Sequence, residues 1–203
     1  VITANSPEFT KYDIFSRLNK GSEPLKVNEI RKAIYQSGAL KSIDLYVQSH
    51  SNSSAYHAVF TDNDIKRYED YGRFFRSIAF YVRYNDKTKV VENYNSRPRD
   101  MINTVLAEIQ SGNISLSPDI INCIIEQTMQ LSLFFSSEQS KDYLVDASIY
   151  FALKYPKSFS KIQNSIISDK IIQDTLLKSA STTSNVNERF ARISKLVHGV
   201  SND

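Results

Sequence analysis

Prolines and glycines are few in this chain, and they stand where helices begin and end. Four of the five prolines follow a serine by one or two residues, at Ser6-Pro7, Ser22-Glu23-Pro24, Ser96-Arg97-Pro98 and Ser117-Pro118. A serine hydroxyl can accept a hydrogen bond from an orphan N–H of the first turn, and proline's fixed φ and missing N–H suit that turn. Each pair therefore predicts a helix start. Gly21, Gly38, Gly112 and Gly199 each follow an apolar-periodic stretch, where a residue free to turn left-handed closes a helix.

Between these marks the apolar residues recur at helical spacing. Phe9, Tyr12, Phe15 and Leu18 form one stripe, Val27, Ile30 and Ile34 a second, and Leu40, Ile43 and Val47 a third. Ile102, Val105, Leu106 and Ile109 precede Gly112, and Ile120, Ile121, Ile124, Ile125, Met129 and Leu131 mark a helix expected to be buried. A further helix is expected from Ser137 to near Leu153, another from Tyr155-Pro156 to near Ile167, and a restart at Ser168-Asp169. The last helix carries Val186, Phe190, Ile193 and Val197 on one face and is expected to carry Arg189, Arg192 and Lys195 on the other. The reading is all-α: a compact array of roughly nine or ten short helices in one domain. Strand signals are confined to LKSIDLYV, where alternation competes with helical spacing, and Lys89-Val90-Val91, too short to anchor a sheet. NDKTKVVENYNSR is polar and without a stripe, so residues 85–97 are the expected loop or division between two helical subdomains.

With 203 residues, 41% hydrophobic and 23% charged, the chain is long enough for a core and is not a disordered polymer. Its net charge of +3 makes an acidic partner permissible without requiring one. The single cysteine, Cys123, cannot form an internal disulfide, so a reducing, intracellular compartment is expected, cytoplasmic or reached by delivery. In INCIIEQ, Cys123 reads as a small buried hydrophobe. No apolar run approaches the roughly 18 to 20 residues of a membrane span. The start VITANSPEFT lacks the order of a signal peptide, and a chain beginning with valine is expected to be a piece of a longer or processed protein. The sequons at Asn52 and Asn113 are therefore discounted.

Motifs for chemistry are sparse. His50, His57 and His198 show no HExxH or paired spacing, and the glycines form neither a phosphate loop nor a dinucleotide fingerprint, so neither metal nor cofactor is expected. His57, with Asp62 or Asp64 nearby in SSAYHAVFTDND, is the one acid–base candidate. His50 and His198 read as residues near helix C-termini.

The stretch KRYEDYGRFFRSIAFYVRY is the densest signal. On a helix, Tyr68, Tyr71, Gly72, Phe75, Ile78, Ala79 and Val82 share one face, while Phe80 and Tyr84 lie opposite among Lys66, Arg73, Arg76 and Arg83. Aromatics all round predict a central helix packed on several sides, with Glu69 a ready partner for Arg73 and with another helix close at Gly72. The competing reading makes Arg73, Arg76, Phe80, Arg83 and Tyr84 an exposed surface for bases or acidic side chains. Arg189, Arg192 and Lys195 add a second basic stripe, and beside Arg97 and Arg99 it would form a phosphate or acidic-peptide site.

These features point first to a non-catalytic protein–protein interaction or adaptor module that presents helix faces or the Tyr84–Pro98 loop. A deep polar pocket with convergent ionisable groups would count against that reading. A nucleic-acid-binding protein using the basic-aromatic faces is the alternative, an enzyme centred on His57 a third. RYEDYGRFFRSIAFYVRY and the helix order resemble the phosphoinositide-binding helical domains of clathrin adaptors, which implies an acidic lipid headgroup as partner. The lysine-rich run near the start of that family has no match here, and no membership is assigned.

Overall fold

A computed structural model describes residues 24–200, in which eleven helices and one short hairpin follow one another. The helices are α1 (Val27–Ile34), α2 (Lys41–His50), α3 (Ser54–His57), α4 (Asp62–Lys66), α5 (Glu69–Arg83), α6 (Pro98–Ser111), α7 (Pro118–Phe134), α8 (Lys141–Lys154), α9 (Pro156–Ser168), α10 (Lys170–Leu177) and α11 (Thr183–Gly199). The strands β1 (Tyr84–Asn85) and β2 (Val90–Val91) separate α5 from α6. The all-α expectation holds. Ser6-Pro7, the Phe9–Leu18 stripe, Gly21 and Ser22 lie outside the described residues.

Much of the punctuation acts as the chemistry requires. Pro98, Pro118 and Pro156 occupy the first turns of α6, α7 and α9. The Ser117 hydroxyl accepts the Ile120 N–H at 3.2 Å, and Asp169 does the same for Ile172 at 3.1 Å to start α10. Gly112 closes α6 at φ 79°, a left-handed geometry that a Cβ would strain. Three marks behave otherwise: α1 starts three residues after Pro24 and ends at Ile34, ahead of Gly38, and Gly199 lies inside α11. LKSIDLYV is helical, because only helical spacing puts Leu40 and Ile43 together in the core.

The polar segment after α5 forms a short hairpin. Tyr84 pairs with Val91 and Asn85 with Val90 in an antiparallel hairpin, and Asn85 Oδ1 accepts the Lys87 and Thr88 amides inside its turn. Left-handed backbone at Lys89, Asn93 and Ser96 then folds the chain onto α11. There Val91 N donates to Asn187 Oδ1 at 2.9 Å, Tyr94 OH to the Ser181 carbonyl at 2.6 Å, and Thr183 N to Ser96 Oγ at 2.8 Å. Val91 and Tyr94 join a hydrophobic core that runs from Ile30 to Val197.

That core is centred on α5 and α8. In α8 nearly every residue from Leu144 to Ala152 is buried, so this helix, rather than α7, is enclosed on all sides. α7 keeps Ile120, Cys123 and Leu133 exposed, which corrects the expectation of a buried cysteine. On α5, burial reaches Tyr71, Arg73, Phe74, Phe75 and Ser77 to Phe80, as a helix with aromatics all round requires. Gly72 marks the close approach expected of it: a Cβ there would collide with the carboxamide of Asn28 on α1.

Candidate functional site

A carboxylate in the middle of an apolar helix demands compensation. Asp146 is such a group, 2% exposed on α8, and two guanidinia one turn apart on α5 supply it. Arg73 Nη2 donates to Asp146 Oδ1, while Arg76 donates to Oδ2 from Nε at 2.7 Å and Nη2 at 2.5 Å. Arg73 Nη1 also meets Asp142, its carboxylate at 3.3 Å and its carbonyl at 3.2 Å. Burial alone would push the Asp146 carboxyl up, but the neighbouring Arg73 and Arg76 charges outweigh it and hold it below the usual carboxylate range. Burial likewise works against the Arg76 cation, and the Asp146 charge reverses the effect, raising its pKa. Arg73 is thus paired across the helix interface and not with Glu69, which accepts from Asn28 Nδ2 at 3.3 Å instead.

Above this cluster opens a cleft of two joined chambers. The inner one, about 360 Å³, has Arg31, Arg73, Arg76 and Lys141 facing Asp64, Glu69 and Asp142. The outer one, about 410 Å³, is lopsided: Lys26, Arg31, Arg67, Arg76 and Arg99 line it with Glu69. Asn28, Arg31, Glu69, Arg76 and Ile102 border both. Arg31 is buried and fixed in place, donating from Nε to Asn103 Oδ1 at 2.9 Å, from Nη1 to Asn28 Oδ1 at 2.8 Å and from Nη2 to the Arg99 carbonyl at 3.4 Å. Ser132 also lines the inner chamber, buried, and its hydroxyl has no partner among the described residues.

Of the sequence-derived candidates, the fold brings Arg73, Arg76 and Arg99 to this cleft. The exposed basic-aromatic surface does not form. Phe80 and Tyr84 are buried and stack on Phe190 of α11, with ring centroids 5.8 and 4.9 Å away. Arg83 is spent on Glu108 of α6 at 2.5 Å. Arg189 is the second correction: it is 1% exposed, not on an outer face. It stands three residues from Val186 and four from Ile193, so it belongs to the apolar stripe by spacing. Its Nε donates to Thr175 Oγ1 at 3.1 Å, and Nη2 to the carbonyls of Thr175 at 3.1 Å and Ala180 at 3.0 Å. Burial pulls its pKa down to about 10. Arg192 pairs with Asp169 at 2.7 Å, and Arg97 and Lys195 are exposed elsewhere.

His57 lies at the surface with Nδ1 3.4 Å from Asp62, and His50 stacks on Tyr46. His198 Nδ1 lies 2.7 Å from the Ser194 carbonyl. Among the described residues no group of three or more histidines, cysteines or carboxylates is arranged to hold a metal ion.

Sequence reasoning missed Lys26, Arg67, Arg31, Asn28, Asn103, Ser132, Lys141 and Asp146. Asp146 left a signal, a lone carboxylate inside YLVDASIYFAL. Arg31 left one too, directly beside Ile30 in a stripe that had to be buried. Ser132 and Lys141 left none, since only the packing of α7 and α8 beside α5 brings them to the recess.

Among the described residues no helix is long and apolar enough to cross a membrane. No family model matches the chain, and neither a curated protein nor a solved structure does.

Proposed function

We propose that this chain is a non-catalytic helical module that recognises a protein partner by receiving an acidic segment of it in the arginine-lined cleft. The observation that carries the reading is the outer chamber, where cations from α1, α5, α6 and the flanking residues Lys26 and Arg67 face one recess, with Glu69 the single carboxylate lining it among the described residues. A field of one sign in a low-dielectric recess attracts and orients anionic groups. The polar recess with its convergent ionisable groups counts against an interaction module that docks through plain helix faces, and the Tyr84–Pro98 segment is engaged by α11 and the turn before it. The binding surface in this reading is therefore the cleft.

Three facts favour a protein partner. Phe80 and Tyr84 are in the core, so these two rings offer the arginines no exposed platform on which bases could stack. Arg31 is recessed at 5% exposure while Lys26, Arg67 and Arg99 are exposed, a depth that suits a protruding side chain better than a flat bilayer. The cleft carboxylates are already engaged: Asp64 accepts the Thr61 amide and hydroxyl at 2.9 and 2.7 Å, Glu69 accepts from Asn28, and Asp142 pairs with Arg73. Groups so committed are poorly disposed for acid–base turnover.

The test is fluorescence anisotropy with a labelled pool of glutamate-rich peptides at low and physiological salt, using the wild type and a Lys26→Glu, Arg67→Glu double variant. Both residues are exposed, so the fold should survive. Salt-sensitive binding lost in the variant is expected. Absence of binding at low salt, or equal binding by the variant, would overturn the reading.

A further inference from the structure

Resting on that reading, we infer that the outer chamber is built for a phosphate monoester carried by a protein side chain, in preference to a carboxylate. A carboxylate offers two oxygens in one plane, which a single guanidinium fork can satisfy. A phosphoserine or phosphothreonine group carries close to two negative charges near pH 7 and presents three acceptor oxygens in three directions. Arg31, Arg76 and Arg99 line the chamber from three helices, α1, α5 and α6, and Arg67 and Lys26 add charge at its rim. Such an arrangement complements a tetrahedral dianion better than a planar monoanion.

Preorganisation strengthens the match. Asn28 and Asn103 fix Arg31, and Asp146 fixes Arg76, so these two guanidinia need not be ordered when the ligand arrives. The inner chamber adds Ser132, which is 4% exposed and whose hydroxyl is without a partner among the described residues. Lys141 at the same chamber would supply a donor for a carbonyl or acidic group next along the bound segment.

The experiment compares three labelled degenerate peptide pools, identical except for a central phosphoserine, glutamate or serine, with inorganic phosphate as competitor. The phosphoserine pool is expected to bind about tenfold or more tightly than the glutamate pool. Inorganic phosphate should displace it, and its affinity should fall below about pH 6 as the dianion is protonated. Arg67→Glu and, separately, the milder Arg99→Gln should weaken binding, whereas Arg97→Glu, at an exposed residue that does not line the cleft, should leave it unchanged. Equal affinity for the phosphoserine and glutamate pools would sink this inference and leave the proposed function standing. No binding of any pool would remove both. Equal losses from Arg97→Glu and Arg67→Glu would reduce the effect to general charge and overturn the site. Tighter binding to phosphatidylcholine vesicles doped with a phosphoinositide would assign the chamber to a lipid headgroup and overturn the protein partner.

Discussion

Arg76 and Arg189 lie over the same Tyr143 ring, with guanidinium carbons 5.4 and 5.5 Å from its centroid, yet their charges are handled in opposite ways. At the α5–α8 interface Arg76 shares a buried carboxylate with Arg73, and its cation is favoured. At the α10–α11 junction Arg189 meets a threonine hydroxyl and two carbonyls, and burial disfavours its cation. The difference teaches that burial alone does not define an arginine's role. A full opposite charge makes an ion cluster able to support a binding cleft, whereas neutral oxygens make a clamp that ties one helix to the preceding turn.

The strongest way to break this comparison is to remove the shared carboxylate. Asp146→Ala leaves two guanidinia at a buried interface without their counter-charge, and a loss of about 3–5 kcal/mol is expected in urea unfolding. A loss under about 1 kcal/mol would mean that water or rearrangement compensates the arginines and that the cluster is not what holds α5 to α8. The same carboxylate makes a pH prediction. Its folded pKa lies below its unfolded value, so its stabilisation is complete above the unfolded pKa of about 4 and is lost as pH falls through the folded one. Wild type should therefore lose stability below about pH 4 more steeply than Asp146→Asn, which has no such proton to bind.

The clamp should be worth less. Arg189→Met removes three hydrogen bonds and leaves the Thr175 and Ala180 carbonyls wanting donors, but it strands no opposite charge. About 1–3 kcal/mol is expected, smaller than for Asp146→Ala in the same urea series. A cost equal to or above that of Asp146→Ala would erase the distinction between the two regions.

These two arginine environments also show where sequence reading stopped. The helices were legible because serine, proline and glycine act locally, through caps and φ, at Ser117-Pro118, Tyr155-Pro156 and Gly112. The packed character of α5 followed from aromatics on every side of one helix, and Gly72 from the cost of glycine in mid-helix. Charge misled where the partner was distant in sequence. Arg73 has Glu69 at ideal local spacing but pairs with Asp146, 73 residues away, because burial at the interface with α8 leaves that carboxylate more in need of a cation. Arg189 read as solvated because arginine usually is, although its spacing placed it with Val186 and Ile193. The hairpin escaped notice because its strands are only two residues long and are held by a turn built on Asn85 and by Asn187 of α11, neither of which leaves an alternating apolar pattern. Of the cleft, Arg73, Arg76 and Arg99 were candidates, but their meeting with Arg31 depends on how α1 lies against α5.

The smallest effect is expected where the same guanidinium–carboxylate chemistry lies nearer to water. Arg192 donates from Nε at 2.8 Å and Nη2 at 2.7 Å to one oxygen of Asp169, while the other oxygen caps α10 through the Ile172 amide. The Arg192 hydrogen bonds hold Asp169 below the usual carboxylate range, but the Arg192 side chain is 25% exposed and water can replace it. Arg192→Ala should therefore cost no more than about 1 kcal/mol, and raising the salt concentration should shrink even that. Urea is the proper denaturant for this measurement, because guanidinium chloride would screen the pair. The geometry here is as good as at Arg76, so distance cannot explain a difference between the two sites. If Arg192→Ala destabilises as much as Asp146→Ala, burial is not what sets the worth of these pairs. If it costs only the expected fraction, the contrast between a surface pair and the interface cluster follows from desolvation, and the rigidity of the cleft floor rests on Asp146 being out of reach of water.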